Sequence, residues 1–152
     1  MFRRYAGKGA AAVGTDKTLL NLFNSAAGPL SRAFLYELII GCAAAPGDTA
    51  TNFVLGRTTA LGTEGSGYTP VMLDPANPAA GWDFGVAHSA EPTYTAASFM
   101  LAIDLNQRAT FRWIAAPGSE IVAPATQNNG LGLKSSASTG TATHTATMLY
   151  TE

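Results

Sequence analysis

The sequence is poor in charged and chemically reactive side chains. Charged residues make up 12% of the 152 residues, whereas soluble domains average roughly 25%. Cysteine occurs once, at Cys42, so no disulfide forms within the chain and a cluster of thiolate metal ligands is excluded. The only histidines are His88 and His144. Because a catalytic site needs a convergent nucleophile, base and acid, we expect a structural or binding protein rather than an enzyme, and no cofactor.

Long apolar stretches and targeting signals are also missing. A membrane-spanning helix needs about 20 apolar residues, and the longest apolar stretch is interrupted by Glu37 and Gly41. The first residues are basic, but residues 7–14 are too few and too rich in glycine for the core of a signal peptide. We therefore expect synthesis in the cytoplasm and no membrane partner.

Charge is unevenly distributed along the chain. Residues 1–32 contain five bases and one acid, whereas residues 33–152 contain nine acids and four bases. This imbalance predicts a basic N-terminal arm at 1–32 that docks on a neighbouring copy or a larger assembly, followed by a body at 33–152. Aromatic and arginine side chains dominate interface energies, so we assign the contact to such residues in the arm. The predicted partner-binding residues are Phe2, Arg3, Arg4, Tyr5 and Lys8.

The body has the pattern of an all-β fold. From Phe34 onward, apolar and polar residues mostly alternate between clusters of Gly, Pro, Asn and Asp. The alternation is clearest at 98–105, which we expect in the core and in a hairpin with 109–115. About eight strands predict a jelly roll or two-sheet β-sandwich. The predicted strands are 34–41, 51–58, 68–73, 98–105, 109–115, 120–125, 130–135 and 141–151.

Two segments carry additional expectations. Pro70 cannot donate a ladder hydrogen bond, so we expect 68–73 at a sheet edge or Pro70 at the start of a strand. Residues 17–27 could form a short helix, with leucines and a phenylalanine along one side, but a strand fits the segment nearly as well.

Motifs for metal, phosphate or nucleic-acid chemistry are weak. His88 lies near Asp83 and Glu91, and His144 could join them, but no His-x-His pair is present. The glycines at 7–14 follow no strand and lack the spacing of a phosphate loop, and Ser66 lacks the context of a nucleophile elbow. Four bases near the N-terminus neutralise few phosphates, and the acidic body repels a polyanion, so we expect no nucleic-acid partner.

The C-terminal part resembles a family of phage proteins. Residues 91–135 read EPTYTAASFMLAIDLNQRATFRWIAAPGSEIVAPATQNNGLGLKS, and a tail of alanine and threonine follows, ending TATMLYTE. This stretch resembles decoration, or cement, proteins on the capsids of tailed bacteriophages, most clearly over LNQRATFRWIAAPGSEIV. The resemblance implies a jelly-roll or sandwich body, a homotrimer, the major capsid protein as partner, and a position on the capsid surface of a virion made in the host cytoplasm.

Three other functions stay open at this point. One is a receptor- or glycan-binding head, in which loop aromatics stack on sugar rings. The aromatics considered for that role are Tyr68, Trp82, Phe84 and Tyr94, and the alternative, which we favour, is that they are core or interface aromatics. The others are a tail or different virion subunit and, with least support, a metal-dependent enzyme of the double-stranded β-helix class.

Overall fold

The computed structural model describes residues 3–14, 16–25, 31–138 and 142–152. These residues form twelve β-strands, more than the eight expected, and no helix that could cross a membrane is found among them. The strands are β1 (Arg4–Ala12), β2 (Lys17–Asn24), β3 (Ala33–Ala44), β4 (Ala50–Ala60), β5 (Ser66–Tyr68), β6 (Val71–Met72), β7 (Trp82–Val86), β8 (Thr93–Asn106), β9 (Phe111–Ile114), β10 (Ile121–Ala123), β11 (Gly130–Ser138) and β12 (Thr143–Thr151).

The strands form two antiparallel sheets of six strands each. Sheet 1 has the order β10-β3-β12-β1-β6, and β9 also pairs with β3. Sheet 2 has the order β5-β7-β2-β11-β4-β8. The prediction of an all-β, two-sheet sandwich is therefore confirmed. The predicted strand 68–73 is divided at Pro70 between the end of β5 in sheet 2 and β6 in sheet 1, and each of these short strands lies at the edge of its sheet, as expected.

Strands from the two halves of the chain pair with each other near the centre of each sheet. In sheet 1, β1 lies against β12, with Arg4 opposite Thr151. In sheet 2, β2 lies against β11, with Leu22 opposite Leu131. Both ends of the domain are therefore held by ladders of backbone hydrogen bonds.

The core lies between the two sheets and is filled by large apolar side chains. The Tyr5 and Tyr150 rings stack with centroids 5.5 Å apart, and Phe84 meets Tyr150 edge-on at 6.1 Å. Fully burying one large apolar side chain contributes about 1.5–3 kcal/mol to folding. The largest fully buried side chains are Trp82, Tyr5, Tyr150, Phe53, Phe84, Leu19, Leu20, Leu22, Leu35, Leu38, Ile40 and Leu55.

The expected N-terminal arm is not confirmed, because residues 4–12 form β1 inside sheet 1. Tyr5 is fully buried, and its hydroxyl donates to the carbonyl oxygen of Pro78 at 3.0 Å. Gly7 and Gly9 face the core, where a Cβ on Gly7 would come closer than 3.0 Å to the Phe84 ring. The glycines thus make room for side chains of sheet 2, which is a packing role and not a source of flexibility.

The structure decides two expectations about individual strands. Of the two alternatives for 17–27 the strand is the one that forms, as β2 over Lys17–Asn24, while residues 26 and 27 lie outside the described part. The predicted hairpin of 98–105 with 109–115 does not form. Instead, β8 pairs with β4 in sheet 2, and β9 pairs with β3 in sheet 1. Alternation identified these segments as strands but could not identify their partners.

Candidate functional site

The outer face of sheet 1 carries an apolar band that crosses five strands. One row of paired residues runs from Ile114 through Glu37, Leu149 and Ala6 to Val71. The ends of this row are well exposed, with 54% of Ile114 and 66% of Val71 accessible to solvent. We call this face, including the neighbouring Arg4, Lys8, Phe34 and Leu73, the sheet 1 face. Large exposed apolar side chains in one contiguous patch are typical of a binding surface.

The polar groups of this face leave it cationic. Glu37 is nearly buried within the band, and its carboxylate accepts a hydrogen bond of 2.6 Å from Nε of Arg112. Arg4 and Lys8 are exposed, and neither takes part in an ion pair among the described residues. The Glu37 carboxylate is thus neutralised by its neighbour, whereas Arg4 and Lys8 are available to a partner. One further acid, Glu120, lies near Arg4 at the end of the face.

A groove lies at one end of the sheet 1 face. It has a volume of about 590 Å³. Two aromatic side chains, Phe34 and Tyr36, form one side of the groove, and burial raises the pKa of the Tyr36 phenol. Arg4 and Glu120 add one charge of each sign. Aromatic surface beside hydrogen-bonding groups is what a small polar ligand or a peptide side chain requires.

The outer face of sheet 2 is partly covered by side chains of the same chain. The Tyr94 ring covers Gly132, and its hydroxyl lies 2.9 Å from the Thr18 hydroxyl. Phe99 covers Gly56, the glycine that pairs with Gly132. Above both rings lies the Lys134 ammonium, 4.9 and 5.3 Å from the two ring centroids. On this face Phe99 is the exposed large apolar side chain, at 45%, whereas sheet 1 has Val71, Met72, Leu73 and Ile114, so the sheet 1 face is the better candidate for a partner.

Ion pairs reinforce the cover on sheet 2. Lys134 also contacts the Asp16 carboxylate at 2.6 Å. Glu91 accepts hydrogen bonds from Nζ of Lys17 and from the backbone N–H of Thr18. Burial raises the pKa of Tyr94, which keeps its hydroxyl neutral. The polar groups on this side are thus paired with one another.

The predicted partner-binding residues do not form one surface. Arg3, Arg4 and Lys8 are exposed, but Tyr5 is fully buried and unavailable to a partner. Phe2 lies outside the described residues. Their separation follows from the alternation of side chains in β1, which places Arg4 and Lys8 on the opposite face from Tyr5.

Sequence reasoning missed the apolar part of the sheet 1 face. Its largest side chains are Phe34, Tyr36, Ile114 and Leu149, which come from three different strands. One signal was available, since 34–41 is apolar at successive positions and not only at alternate ones. A strand that is apolar on both sides has its second face available for another contact.

The aromatics considered for sugar stacking are mostly placed elsewhere. Trp82 and Phe84 are fully buried in β7 and not in loops, so they are core aromatics, the alternative to sugar stacking, and neither can stack on a sugar. Tyr94 lies flat on sheet 2. The Tyr68 side chain lies outside the described part of the structure.

The histidines do not come together at one site. His144 is fully buried beside Phe53, with ring centroids 5.0 Å apart. His88 is 8% exposed and lies next to Gly85. The Glu64 carboxylate lies beside the same glycine, so His88 and Glu64 are neighbours. Within the described ranges, no three side chains of His, Cys, Asp or Glu are arranged to hold a metal ion.

His144 makes the stability of the fold dependent on pH. Both of its ring nitrogens are buried without a hydrogen-bond partner among the described residues, and burial lowers its pKa. Because the pKa of His144 is lower in the folded protein than in the unfolded chain, the neutral imidazole favours folding at pH values above the unfolded-state pKa of about 6.5. This stability is lost as the pH falls through the pKa of the folded state.

His144→Leu should therefore raise the free energy of unfolding by about 1–3 kcal/mol, since no buried nitrogen is left unpaired. It should also weaken the decline of stability between pH 7 and pH 5. Urea unfolding of both proteins across this range measures the effect, and the difference between the two curves isolates His144 from the carboxyl groups. Equal declines would show that the imidazole is solvated in the folded protein.

Comparisons of the chain with protein-family models, with curated proteins and with solved structures each found no match.

Proposed function

We propose that this protein is a virion structural protein that binds the outside of a bacteriophage capsid and stabilises contacts between major capsid subunits. Its main support is the sheet 1 face, where an exposed apolar band lies beside two unpaired cations. A second support is the resemblance of residues 91–152 to capsid decoration proteins. In this proposal the protein acts as a homotrimer and has no catalytic role.

The strand order supports a jelly-roll assignment for the body. Two sets of four strand positions can be distinguished. In sheet 1 the order is β1, β12, β3 and then β9 and β10, which both pair with β3 and together fill the fourth position. In sheet 2 the order is β2, β11, β4 and β8. The first strand thus pairs with the last, and the second with the last but one. A jelly roll has this order of pairing, because it can be described as one long antiparallel hairpin that is folded over into two sheets.

The physical basis of attachment is burial of the apolar band against the capsid. Each copy that covers a seam between capsid subunits adds an interface, and about 1,600 Å² of total buried surface is typical of a stable complex. Arg4 and Lys8 favour a capsid surface that carries acidic side chains, because charge complementarity speeds and orients docking. Expansion of the shell must then break these contacts at every occupied site.

Replacing both ends of the apolar band by aspartate should abolish attachment. The double variant Ile114→Asp, Val71→Asp places two charges in the interface and should weaken capsid binding by at least about a hundredfold, since one unpaired buried charge costs several kcal/mol. The control variant Ala96→Asp, Ala102→Asp adds the same two charges at exposed positions of β8 in sheet 2.

The measurement is cosedimentation of purified protein with capsid shells, combined with light scattering for the mass of the free protein. Thermal unfolding establishes that each variant is folded. Full occupancy by the double variant would exclude the sheet 1 face as the attachment surface. A wild-type protein that does not sediment with capsids at all would contradict the proposed function itself.

A glycan-binding head is the second candidate, and the groove beside Phe34 and Tyr36 favours it. The groove offers aromatic surface together with Arg4 and Glu120, a combination suited to the faces and hydroxyls of a sugar. If this function is correct, a glycan panel should yield a ligand that Tyr36→Ala no longer binds. Capsid attachment that is unaffected by Tyr36→Ala would instead favour the first candidate.

A further inference from the structure

The edge of sheet 1 is only partly covered by β6. This two-residue strand pairs with Tyr5 and Ala6 of β1 and with nothing further along that strand. Pro70 precedes β6, and the pairing with β1 does not continue beyond Val71. Among the described residues, no strand pairs with β1 from Gly7 to Ala12 on this side. We call residues 7–12 the open edge.

The hydrogen-bond pattern shows which backbone groups face the open edge. The Glu152 N–H donates to the carbonyl oxygen of Arg3, and the Val13 N–H donates to the carbonyl oxygen of Ala142. Arg3 and Val13 flank β1, so the odd-numbered residues of β1 bond to β12. On the other side, the Leu73 N–H donates to the carbonyl oxygen of Arg4, so the backbone groups of the even-numbered residues of β1 face the edge. In an antiparallel ladder these directions alternate. The N–H and C=O groups of Lys8, Ala10 and Ala12 are therefore directed at the open edge.

The side chains along this edge permit the approach of another strand. Lys8 and Ala10 are exposed on the outer face of the sheet. At the end of β6 there is a shallow groove of about 420 Å³ between Lys8, Val71 and Thr147. An added residue opposite Lys8 would point its side chain into this groove, because opposite residues share a face.

We infer that the open edge binds an extended, acidic segment of a partner chain by strand addition. Backbone hydrogen bonds to Lys8, Ala10 and Ala12 supply affinity, and an acidic side chain beside Lys8 supplies selectivity. Charge decides between possible occupants. Strand β1 carries Arg4 and Lys8 and no acid, so a second β1 strand offers it no complementary charge. This inference rests on the proposed function only in taking the capsid as the source of the segment.

The first test needs no capsid. In the free protein, the amides of Lys8, Ala10 and Ala12 should exchange with solvent at least about tenfold faster than those of Gly7, Gly9 and Ala11, since only the latter are hydrogen-bonded. Slow exchange at all six positions would show that the edge is already covered, which would overturn the inference.

The second test uses a synthetic peptide of alternating threonine and valine with one central aspartate. It should slow exchange at Lys8, Ala10 and Ala12, and a peptide with lysine in place of aspartate should bind at least about tenfold more weakly. Ala10→Pro removes an outward N–H that is not bonded to β12 and should abolish binding. The matched variant Ala10→Val keeps the N–H and should bind like wild type.

The outcomes separate this inference from the proposed function. Lack of peptide protection at millimolar concentration, or equal binding by Ala10→Pro, overturns the open edge as a binding site. A concentration-dependent dimer that Ala10→Pro abolishes shows a second copy as the occupant and overturns the acidic partner. Peptide binding without any capsid binding by the wild type supports the edge and contradicts the proposed function.

Discussion

Replacing Gly130 by alanine should destabilise the fold by about 3 kcal/mol or prevent folding, although the change adds one methyl group. Gly130 lies in β11, opposite Phe23 of β2 on one side and Thr58 of β4 on the other. A Cβ at this position would come closer than 3.0 Å to backbone atoms of Leu22 and Phe23. Backbone atoms cannot move aside without breaking the ladder at the centre of sheet 2. Urea unfolding measures the loss.

Gly41→Ala is the matched control for this prediction. Gly41 also lies within a central strand, β3, but the nearest atom to its added Cβ would be the Thr110 hydroxyl oxygen at 3.8 Å, an ordinary contact. The free energy of unfolding should change by less than about 1 kcal/mol. Equal losses from the two substitutions would show that a general effect of alanine in strands is responsible, and not the close approach at Gly130.

Trp82→Ala should lower the free energy of unfolding by about 3–5 kcal/mol, the usual cost of removing a large buried aromatic side chain. Trp82 is fully buried in β7, where it pairs with Asn24 of β2, and its indole N–H donates to the Ser31 hydroxyl at 3.3 Å. Because native domains are stable by only about 5–15 kcal/mol, this loss is a large part of the total. Thermal or urea unfolding measures it.

Trp82→Phe separates a packing role from a ligand-binding role. Phenylalanine keeps most of the apolar volume, so the loss of stability should be clearly smaller than for alanine. A Trp82→Ala protein that kept its stability but lost binding to a carbohydrate would contradict the buried position. It would restore the interpretation of Trp82 as an exposed stacking residue.

Much of the fold could be predicted from local patterns. The alternation at 98–105 and at 141–151 correctly marked strands, and Ile103 and Leu105 are buried as expected, but Phe99 is 45% exposed and β8 lies at the edge of sheet 2. The edge position of β6 followed from Pro70. These features depend on the period of side-chain direction and on the missing N–H of proline, which are properties of a few adjacent residues.

The candidate site was less accessible to such reasoning. Arg4 and Lys8 were identified as exposed cations from composition and charge alone. The apolar band was not, because Ile114, Leu149 and Val71 come from distant parts of the sequence and meet only when β9, β12 and β6 take their places in sheet 1. The choice between the two outer faces likewise depends on Tyr94, which covers part of sheet 2.

By itself the sequence determined an all-β chain with few reactive groups, a low charge and a basic beginning, because composition and alternation are local properties. Only the tertiary structure decided that the glycine-rich residues 7–12 form a strand, that β8 and β9 belong to different sheets, and that Trp82 is buried while Ile114 is exposed. The reason is the same in each case. A strand's period specifies two faces, but which face meets the core depends on the strands that pack against it, and those lie far away in the sequence.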